Sequence, residues 1–276
     1  MSELKSYIGK SEEFTEDINI HQIQKICATL GQEELKAGES LPHLWQWCFF
    51  VKALDPSKLG RDGHPKLGGF LPLIENRNRM WAGGRFKFIK DLVIGKEARK
   101  KTTIKDISEK EGRSGKLTFV TLLHEYFQSD TLCVSEEQDI VYKEPSLPKT
   151  SSDASLPKPE FSLTFTPDST LLFRYSALTF NGHKIHYDFP YATEVEGYKG
   201  IVIHGPLLAT YMINTFSHFH KDKEILEYSY QGLRPLCVPS TLHAQGVISS
   251  ATEASLWIAE GESIAHRGKI IFKQKG

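Results

Sequence analysis

Three histidines lie close together in the second half of the chain, beside an amide side chain. The segment FNGHKIHYDFPYATEVEGYKGIVIHGPL contains Asn181, His183, His186 and His204. Imidazole titrates near neutral pH, so it can act as a general acid, a general base or a metal ligand. Metal binding, acid–base catalysis and a purely structural use of the histidines are therefore the three interpretations to compare.

The metal interpretation has little support in the spacing. A zinc site needs three or four nitrogen, sulfur or carboxylate ligands within tetrahedral reach. His183 and His186 are three residues apart, but Gly182 and the sequence Asp188-Phe-Pro that flank them favour an irregular loop over a helix face. The chain has no HExxH motif and no cysteine cluster that would complete the site. We therefore predict no metal, while a role in capping turns stays open for any single histidine.

The acid–base interpretation draws on the residues that follow. Pro206 begins a predicted helix, apolar on nearly every face, that runs to about Phe219. The start of a helix offers backbone N–H groups without partners and the positive end of the helix dipole, which suit an enolate-like oxygen. An imidazole beside such a helix start is what adding water to an activated carbonyl compound requires.

The remaining pattern is typical of an α+β fold. A helix ending before Gly182 begins at Thr166-Pro167-Asp168, with Thr166 as its N-cap, and a buried helix followed by strands suggests a sheet curled around that helix. No βαβ alternation and no phosphate-binding glycine motif occurs. The other predicted helices are 17–30 and, around aromatic residues, 42–50, and the predicted strands are 117–126, 131–142, 224–231, 249–259 and 263–274.

The composition of the chain indicates which classes of binding partner and which cellular compartment to expect. Lys+Arg and Asp+Glu both number 34, so no global charge steers the chain towards nucleic acid. No segment approaches the roughly 18 apolar residues of a membrane span. The acidic start, MSELKSYIGKSEEFTEDI, resembles neither a signal nor a transit peptide, and the four cysteines form no CxxC pair. We expect a cytoplasmic protein with no nucleic-acid or membrane partner.

Long motifs in both halves carry a resemblance to a known family. FNGHKIH, then Ala192, then His204-Gly205 resembles the motif G-D-x-N-P-I-H, alanine and H-G of the MaoC-like hot-dog hydratases. The variant HxIHYD…EGYxGxVxHGPL is similar to the hydroxyacyl-thioester dehydratase type 2 branch. In the first half, LPHLWQWCFF, LGRDGHPKLGGFLP and RMWAGGRFKF resemble the N-terminal domain of bacterial mesaconyl-C4-CoA and itaconyl-CoA hydratases.

The resemblance implies a double hot-dog, in which each unit is an antiparallel sheet wrapped around a central helix. Residues 1–145 would form a non-catalytic domain with the substrate and CoA pocket, 146–159 a linker rich in proline and serine, and 160–276 the catalytic domain. Whether the two halves pair within one chain or across a homodimer stays open.

The resemblance also implies roles for three catalytic residues. His186 would be the catalytic histidine, and the Gly205 N–H would stabilise the oxyanion. Asn181 stands where the family usually has aspartate, and His183 where it has asparagine. Because an amide cannot act as a carboxylate base, we expect Asn181 to orient the water and one histidine to handle both protons.

The implied activity is a carbon–oxygen lyase of the enoyl-CoA hydratase type, converting itaconyl-CoA or mesaconyl-C4-CoA to citramalyl-CoA, as in itaconate degradation. CoA would be part of the substrate, and no separate cofactor is expected. The alternatives are a 3-hydroxyacyl-thioester dehydratase of fatty-acid metabolism, a hot-dog thioesterase and a non-catalytic acyl-thioester binding module. Arg79 and Arg85 would hold the free carboxylate, and the alternatives are that they bind CoA phosphates or lie on a solvated strand surface. The other predicted substrate contacts are Trp81, His183, Tyr191 and His204.

Overall fold

The computed structural model describes residues 3–74, 77–112, 115–144 and 156–276. The chain divides into two compact units. The first comprises Met1–Gly84, Ile89–Ser146 and Ser176–Lys184, and the second Arg85–Phe88, Leu147–Tyr175 and Ile185–Gly276. Each unit includes a segment from the other half of the chain, so the predicted boundaries at residues 145 and 160 stay predictions. Residues 146–155 of the predicted linker lie outside the described residues.

The first unit is built on an antiparallel sheet. Its elements are β1 (Ser11–Asp17), α1 (Ile20–Leu30), β2 (Asn78–Phe88, up to Gly84 in this unit), β3 (Glu97–Gly112), β4 (Gly115–Gln128) and β5 (Thr131–Lys143). The strand order is β1-β3-β4-β5-β2, and β1–β3, β3–β4 and β4–β5 pair antiparallel. The predicted strands 117–126 and 131–142 are thus confirmed as β4 and β5.

The helix of the first unit is α1, as the pattern over 17–30 predicts. Asn19 caps it by accepting the Gln22 N–H at 2.9 Å, and Gly31 ends it in the left-handed conformation, with φ 63°. The helix predicted over 42–50 is wrong, because only a 3-10 turn forms, at Trp45–Cys48. Leu44 and Phe50 on either side have positive φ angles of 71° and 58°, which a continuous α-helix excludes.

A buried carboxylate joins three elements of the first unit. Glu136 on β5 is 1% exposed, and it accepts hydrogen bonds from Trp47 Nε1 and the Tyr126 hydroxyl, each at 2.9 Å. Burial raises the pKa of Glu136, while the nearby Lys100 charge and the two hydrogen bonds oppose the rise. The carboxylate therefore satisfies two buried donors at once.

The second unit wraps a sheet around a buried helix. Its elements are β6 (Phe161–Phe165), α2 (Ser169–Leu178, up to Tyr175 in this unit), α3 (Gly205–Phe219), β7 (Lys223–Gly232), β8 (Leu242–Ser250), β9 (Glu253–Glu260) and β10 (Ser263–Gln274). The strand order is β7-β10-β9-β8-β6, with antiparallel pairs throughout. Eight residues of α3 are buried, and the helix packs against all five strands.

The predicted elements of the second unit are mostly confirmed, with two corrections. The helix from Pro206 to Phe219 and the strands 224–231 and 263–274 match α3, β7 and β10. The strand predicted over 249–259 is instead the end of β8, a turn and β9. Asp168, and not Thr166, caps α2, because its side chain accepts the Leu171 N–H at 2.8 Å.

The four cysteines are free thiols: Cys27, Cys48 and Cys133 are buried, and Cys237 is partly buried. Burial raises the pKa of Cys48 to about 12, so this thiol stays protonated and acts as a small apolar side chain. Among the described residues, no helix combines the length and apolar character needed to cross a membrane.

Candidate active site

His186 has a defined orientation and a defined tautomer. It ends a short 3-10 turn, Lys184–His186, and is 8% exposed. Its Nδ1 lies 2.7 Å from the Val202 carbonyl oxygen, and the Val202 N–H in turn donates to the Ile185 carbonyl at 2.8 Å. Because a carbonyl only accepts, Nδ1 carries the proton, and the neutral ring has its lone pair on Nε2. His186 is therefore arranged to accept a proton at Nε2.

His204 stacks on His186. The two ring centroids are 3.7 Å apart, with an interplanar angle of 18°, and Tyr175 meets the His204 ring edge-on at 5.0 Å. His204 is 1% exposed and occupies the N-cap position of α3. This packing supports the ring of His186 at the turn before α3.

Gly205 places a backbone N–H at the start of α3. The first N–H groups of a helix have no intrahelical acceptor, and the His204 side chain does not cap them. Pro206 has no N–H, so Gly205 and Leu207 supply the donors nearest the helix start. Together with the positive end of the helix dipole, these donors can stabilise an oxyanion.

His266 is a residue of this region that the sequence did not indicate. It lies on β10, is 6% exposed, and its Cε1 would be 3.8 Å from a Cβ placed on Gly205. Burial, and secondarily the Arg234 charge, lowers the pKa of His266 to about 4. His266 is thus a neutral side chain that packs on the backbone of the helix start. Its sequence signal is limited to its place in the predicted strand 263–274.

The buried His266 should make stability depend on pH. Its pKa is lower in the folded chain than the ordinary 6.5, so the unfolded chain binds more protons between pH 4 and 6.5. The free energy of unfolding should therefore rise with pH by about 3 kcal/mol across this window. The same amount of stability should be lost when the pH is lowered from 6.5 to 4. Urea unfolding of the wild type and of His266→Gln at several pH values measures this. Parallel curves for the two proteins would contradict the assignment.

Asn181 and His183 belong to the first unit, where their loop packs on the turn around Gly63. The Asn181 Oδ1 accepts the His183 N–H at 3.0 Å, and the Lys184 N–H donates to the Asp62 carbonyl at 2.9 Å. A Cβ on Gly63 would lie 1.9 Å from the Gly182 carbonyl oxygen, so the two backbones touch. The Asn181 carbonyl thus shapes its own loop and keeps a second lone pair for another donor.

The other predicted contacts divide between the two units. Arg79 and Trp81 are in the part of β2 that belongs to the first unit, and Arg85 is in the part that belongs to the second. Trp81 meets Trp47 edge-on at 5.0 Å, and its buried Nε1 has no hydrogen-bond partner among the described residues. The Tyr191 hydroxyl donates to Glu196 at 3.0 Å. The second unit therefore contains His186, Tyr191, His204 and Gly205. The first unit contains Asn181, His183, Arg79 and Trp81.

Comparison with known proteins gives consistent results. The family model for hydroxyacyl-thioester dehydratase type 2 matches residues 44–238. The mesaconyl-C(4)-CoA hydratase of Chloroflexus aurantiacus is 43% identical over 236 residues, which cover 84% of this chain and 84% of that protein. The similarity to both extends across the two units.

Solved structures support the same fold. A MaoC-like dehydratase from Phytophthora capsici superposes with a TM-score of 0.71 at 12% identity, covering 99% of this chain and 98% of that one. A Mycobacterium tuberculosis protein described as a double hotdog fold has a TM-score of 0.56 at 12% identity, covering 96% of each chain. The predicted α+β double hot-dog is therefore confirmed.

Proposed function

Because the chain belongs to the hydroxyacyl-thioester dehydratase type 2 family and is a hot-dog hydratase or dehydratase, we propose that it hydrates short dicarboxylic enoyl-CoA thioesters. The proposed substrates are mesaconyl-C4-CoA and itaconyl-CoA, and the proposed product of both is citramalyl-CoA. The similarity to a mesaconyl-C(4)-CoA hydratase supports this choice of acyl group.

The observation that carries the proposed chemistry is the hydrogen bond from His186 Nδ1 to the Val202 carbonyl. It holds the ring in the tautomer whose Nε2 carries no proton, which a general base needs. The Gly205 N–H, at the positive end of α3, supplies the complementary donor for the thioester oxygen. A base and an oxyanion donor in the same unit are the two groups that water addition to an enoyl thioester requires.

In the proposed mechanism, His186 Nε2 takes a proton from water as its oxygen bonds to C3 of mesaconyl-C4-CoA. The electron pair of the double bond moves to give an enolate, whose oxygen the Gly205 N–H stabilises. The His186 imidazolium then returns its proton to C2, so one water is added and the base is regenerated. Following the motif, Asn181 would orient the water through its side-chain carbonyl. The addition needs no metal and no redox cofactor, and CoA enters only as part of the substrate.

The test is incubation of the protein with mesaconyl-C4-CoA, itaconyl-CoA and crotonyl-CoA. We expect products heavier by one water, and a kcat/KM for mesaconyl-C4-CoA about ten- to a hundredfold above that for crotonyl-CoA, since one charged hydrogen-bonded group discriminates by this factor. Preferred turnover of long 3-hydroxyacyl thioesters would favour fatty-acid dehydration instead. Release of free CoA would identify a thioesterase, and binding without turnover a non-catalytic module.

A further inference from the structure

A cationic side chain that pairs with no described carboxylate lies in the first unit. Arg79 on β2 is partly buried, and it forms no ion pair with a carboxylate among the described residues. Arg77, two residues earlier, differs in this respect, because its guanidinium pairs with Glu144 at 3.0 Å and donates to the Lys116 carbonyl at 2.7 Å. A partly buried guanidinium that no described carboxylate neutralises is suited to an anion from outside the protein.

A buried hydroxyl lies beside this guanidinium. Tyr142 on β5 is 0% exposed, its ring packs in the core with Ile107 and Ile140, and its Oη makes no hydrogen bond of ordinary geometry to any described residue. Burial raises the pKa of Tyr142, and the Arg79 charge and a hydrogen bond from the Arg79 side chain oppose that rise. Because a guanidinium can only donate, the buried Tyr142 O–H still lacks an acceptor among the described residues.

The third group of the cluster is an imidazole held by a carboxylate. The His64 ring nitrogen Nδ1 is 3.2 Å from one Asp62 carboxylate oxygen, and the other carboxylate oxygen accepts the backbone N–H of His64 at 3.1 Å. The His64 ring also lies 4.1 Å from the ring of His183. Burial lowers the pKa of His64, the hydrogen bond that its ring donates to the Asp62 carboxylate opposes this, and the Arg79 charge lowers the pKa further. Arg79, Tyr142 and His64 are therefore electrostatic neighbours within one unit.

Two classes of ligand could suit these residues. The ligand atoms of Asp62, His64 and His183 lie within 4.8 Å of one another, a geometry that could hold a metal ion. The same cluster, however, lies in the field of the Arg79 guanidinium, which repels a divalent cation and attracts an anion. The guanidinium fork and the phenolic O–H are all donors, and they match a planar carboxylate.

We propose that Arg79 and the Tyr142 hydroxyl form a carboxylate-binding site in the first unit, bordered by the Asp62–His64 pair. The identity of the ligand, the free carboxylate of the acyl group, rests on the proposed function. Tyr142 was not among the predicted substrate contacts, and it gives the site a donor that carries no charge. Removing this hydroxyl by substitution tests the site without changing the net charge of the unit.

The test compares Arg79→Met and Tyr142→Phe with Arg77→Met as the matched control. We expect the ratio of kcat/KM for mesaconyl-C4-CoA to that for crotonyl-CoA to fall about ten- to a hundredfold in both site variants. The control should keep the wild-type ratio. Because Tyr142→Phe keeps the buried ring and removes a hydroxyl that donates to no described residue, it should unfold close to the wild-type temperature. An unchanged ratio in both variants would overturn the proposal.

A direct titration separates this proposal from the proposed function. Methylsuccinate, a small dicarboxylate, should bind the wild type in calorimetry and bind Arg79→Met and Tyr142→Phe at least tenfold more weakly. If the protein hydrates neither thioester, this titration alone decides the site. Equal methylsuccinate binding by all variants would contradict it. If the protein binds CoA alone and Arg79→Met weakens this binding, the site holds a phosphate. If the protein binds nickel and His64→Ala abolishes this binding, the site holds a metal ion. Either result would refute the carboxylate assignment.

Discussion

Replacing His186 by alanine should lower kcat for hydration by about a hundred- to ten-thousandfold, the usual cost of losing a positioned general acid–base group. The expected loss is large because the proposed mechanism uses the same Nε2 to take the proton from water and to return it to C2. The measurement is steady-state hydration of mesaconyl-C4-CoA. KM should change little, because the imidazole acts on the reacting atoms and not on the CoA portion.

The matched control for this experiment is His243→Ala. His243 lies in the same unit, and its Nδ1 is 3.0 Å from the Thr164 hydroxyl near the surface, so its loss should leave turnover near the wild-type value. His204→Ala should act mainly through stability, since that ring packs on His186 and Tyr175. Near-native turnover by His186→Ala, together with loss of activity in His183→Ala, would show that the motif was aligned to the wrong imidazole.

Replacing Glu136 by alanine should lower the free energy of unfolding by about 3–5 kcal/mol, the typical cost of breaking a buried charged cluster. The substitution leaves the Trp47 N–H and the Tyr126 O–H without their acceptor and removes a negative charge that interacts with Lys100. The measurement is urea unfolding followed by tryptophan fluorescence and by circular dichroism.

Glu137→Ala is the control, because the neighbouring carboxylate forms a solvent-accessible ion pair with Lys105. Such surface pairs contribute about 0–1 kcal/mol, so this variant should unfold close to the wild type. If both variants lost the same small amount of stability, Glu136 would not be the centre of a buried network.

The elements that could be predicted are those with a local apolar pattern. Helix α3 is buried on most faces, β7 alternates polar and aromatic residues from Glu227 to Gln231, and β10 contains the apolar run Ile270–Phe272, so these patterns are visible in the sequence. Strands β1 and β3, SEEFTED and EARKKTTIKDISEKEG, were not predicted because charged residues dominate them. Their strand conformation depends on pairing with distant residues, as in the ion pair of Glu13 with Arg99, which no local window contains.

For the candidate site, the motif indicated which imidazole and which helix start to consider. It could not indicate the tautomer of His186, which depends on a carbonyl sixteen residues away. Nor could it indicate Tyr142 or His266, because each is one of many residues on the buried face of a strand. Their importance comes from burial and from what lies beside them, which only the folded chain determines.

The contact between Gly63 and Gly182 limits how this protein can be altered. A Cβ at Gly63 would meet the Gly182 carbonyl oxygen, and a Cβ at Gly182 would lie 2.9 Å from the Gly63 carbonyl oxygen, so a side chain at either position forces both backbones apart. The loop around Gly63 and the loop around Gly182 must therefore keep matching backbone shapes, although they are far apart in the chain. A chimera that takes one of these loops from a relative should take the other loop from the same relative.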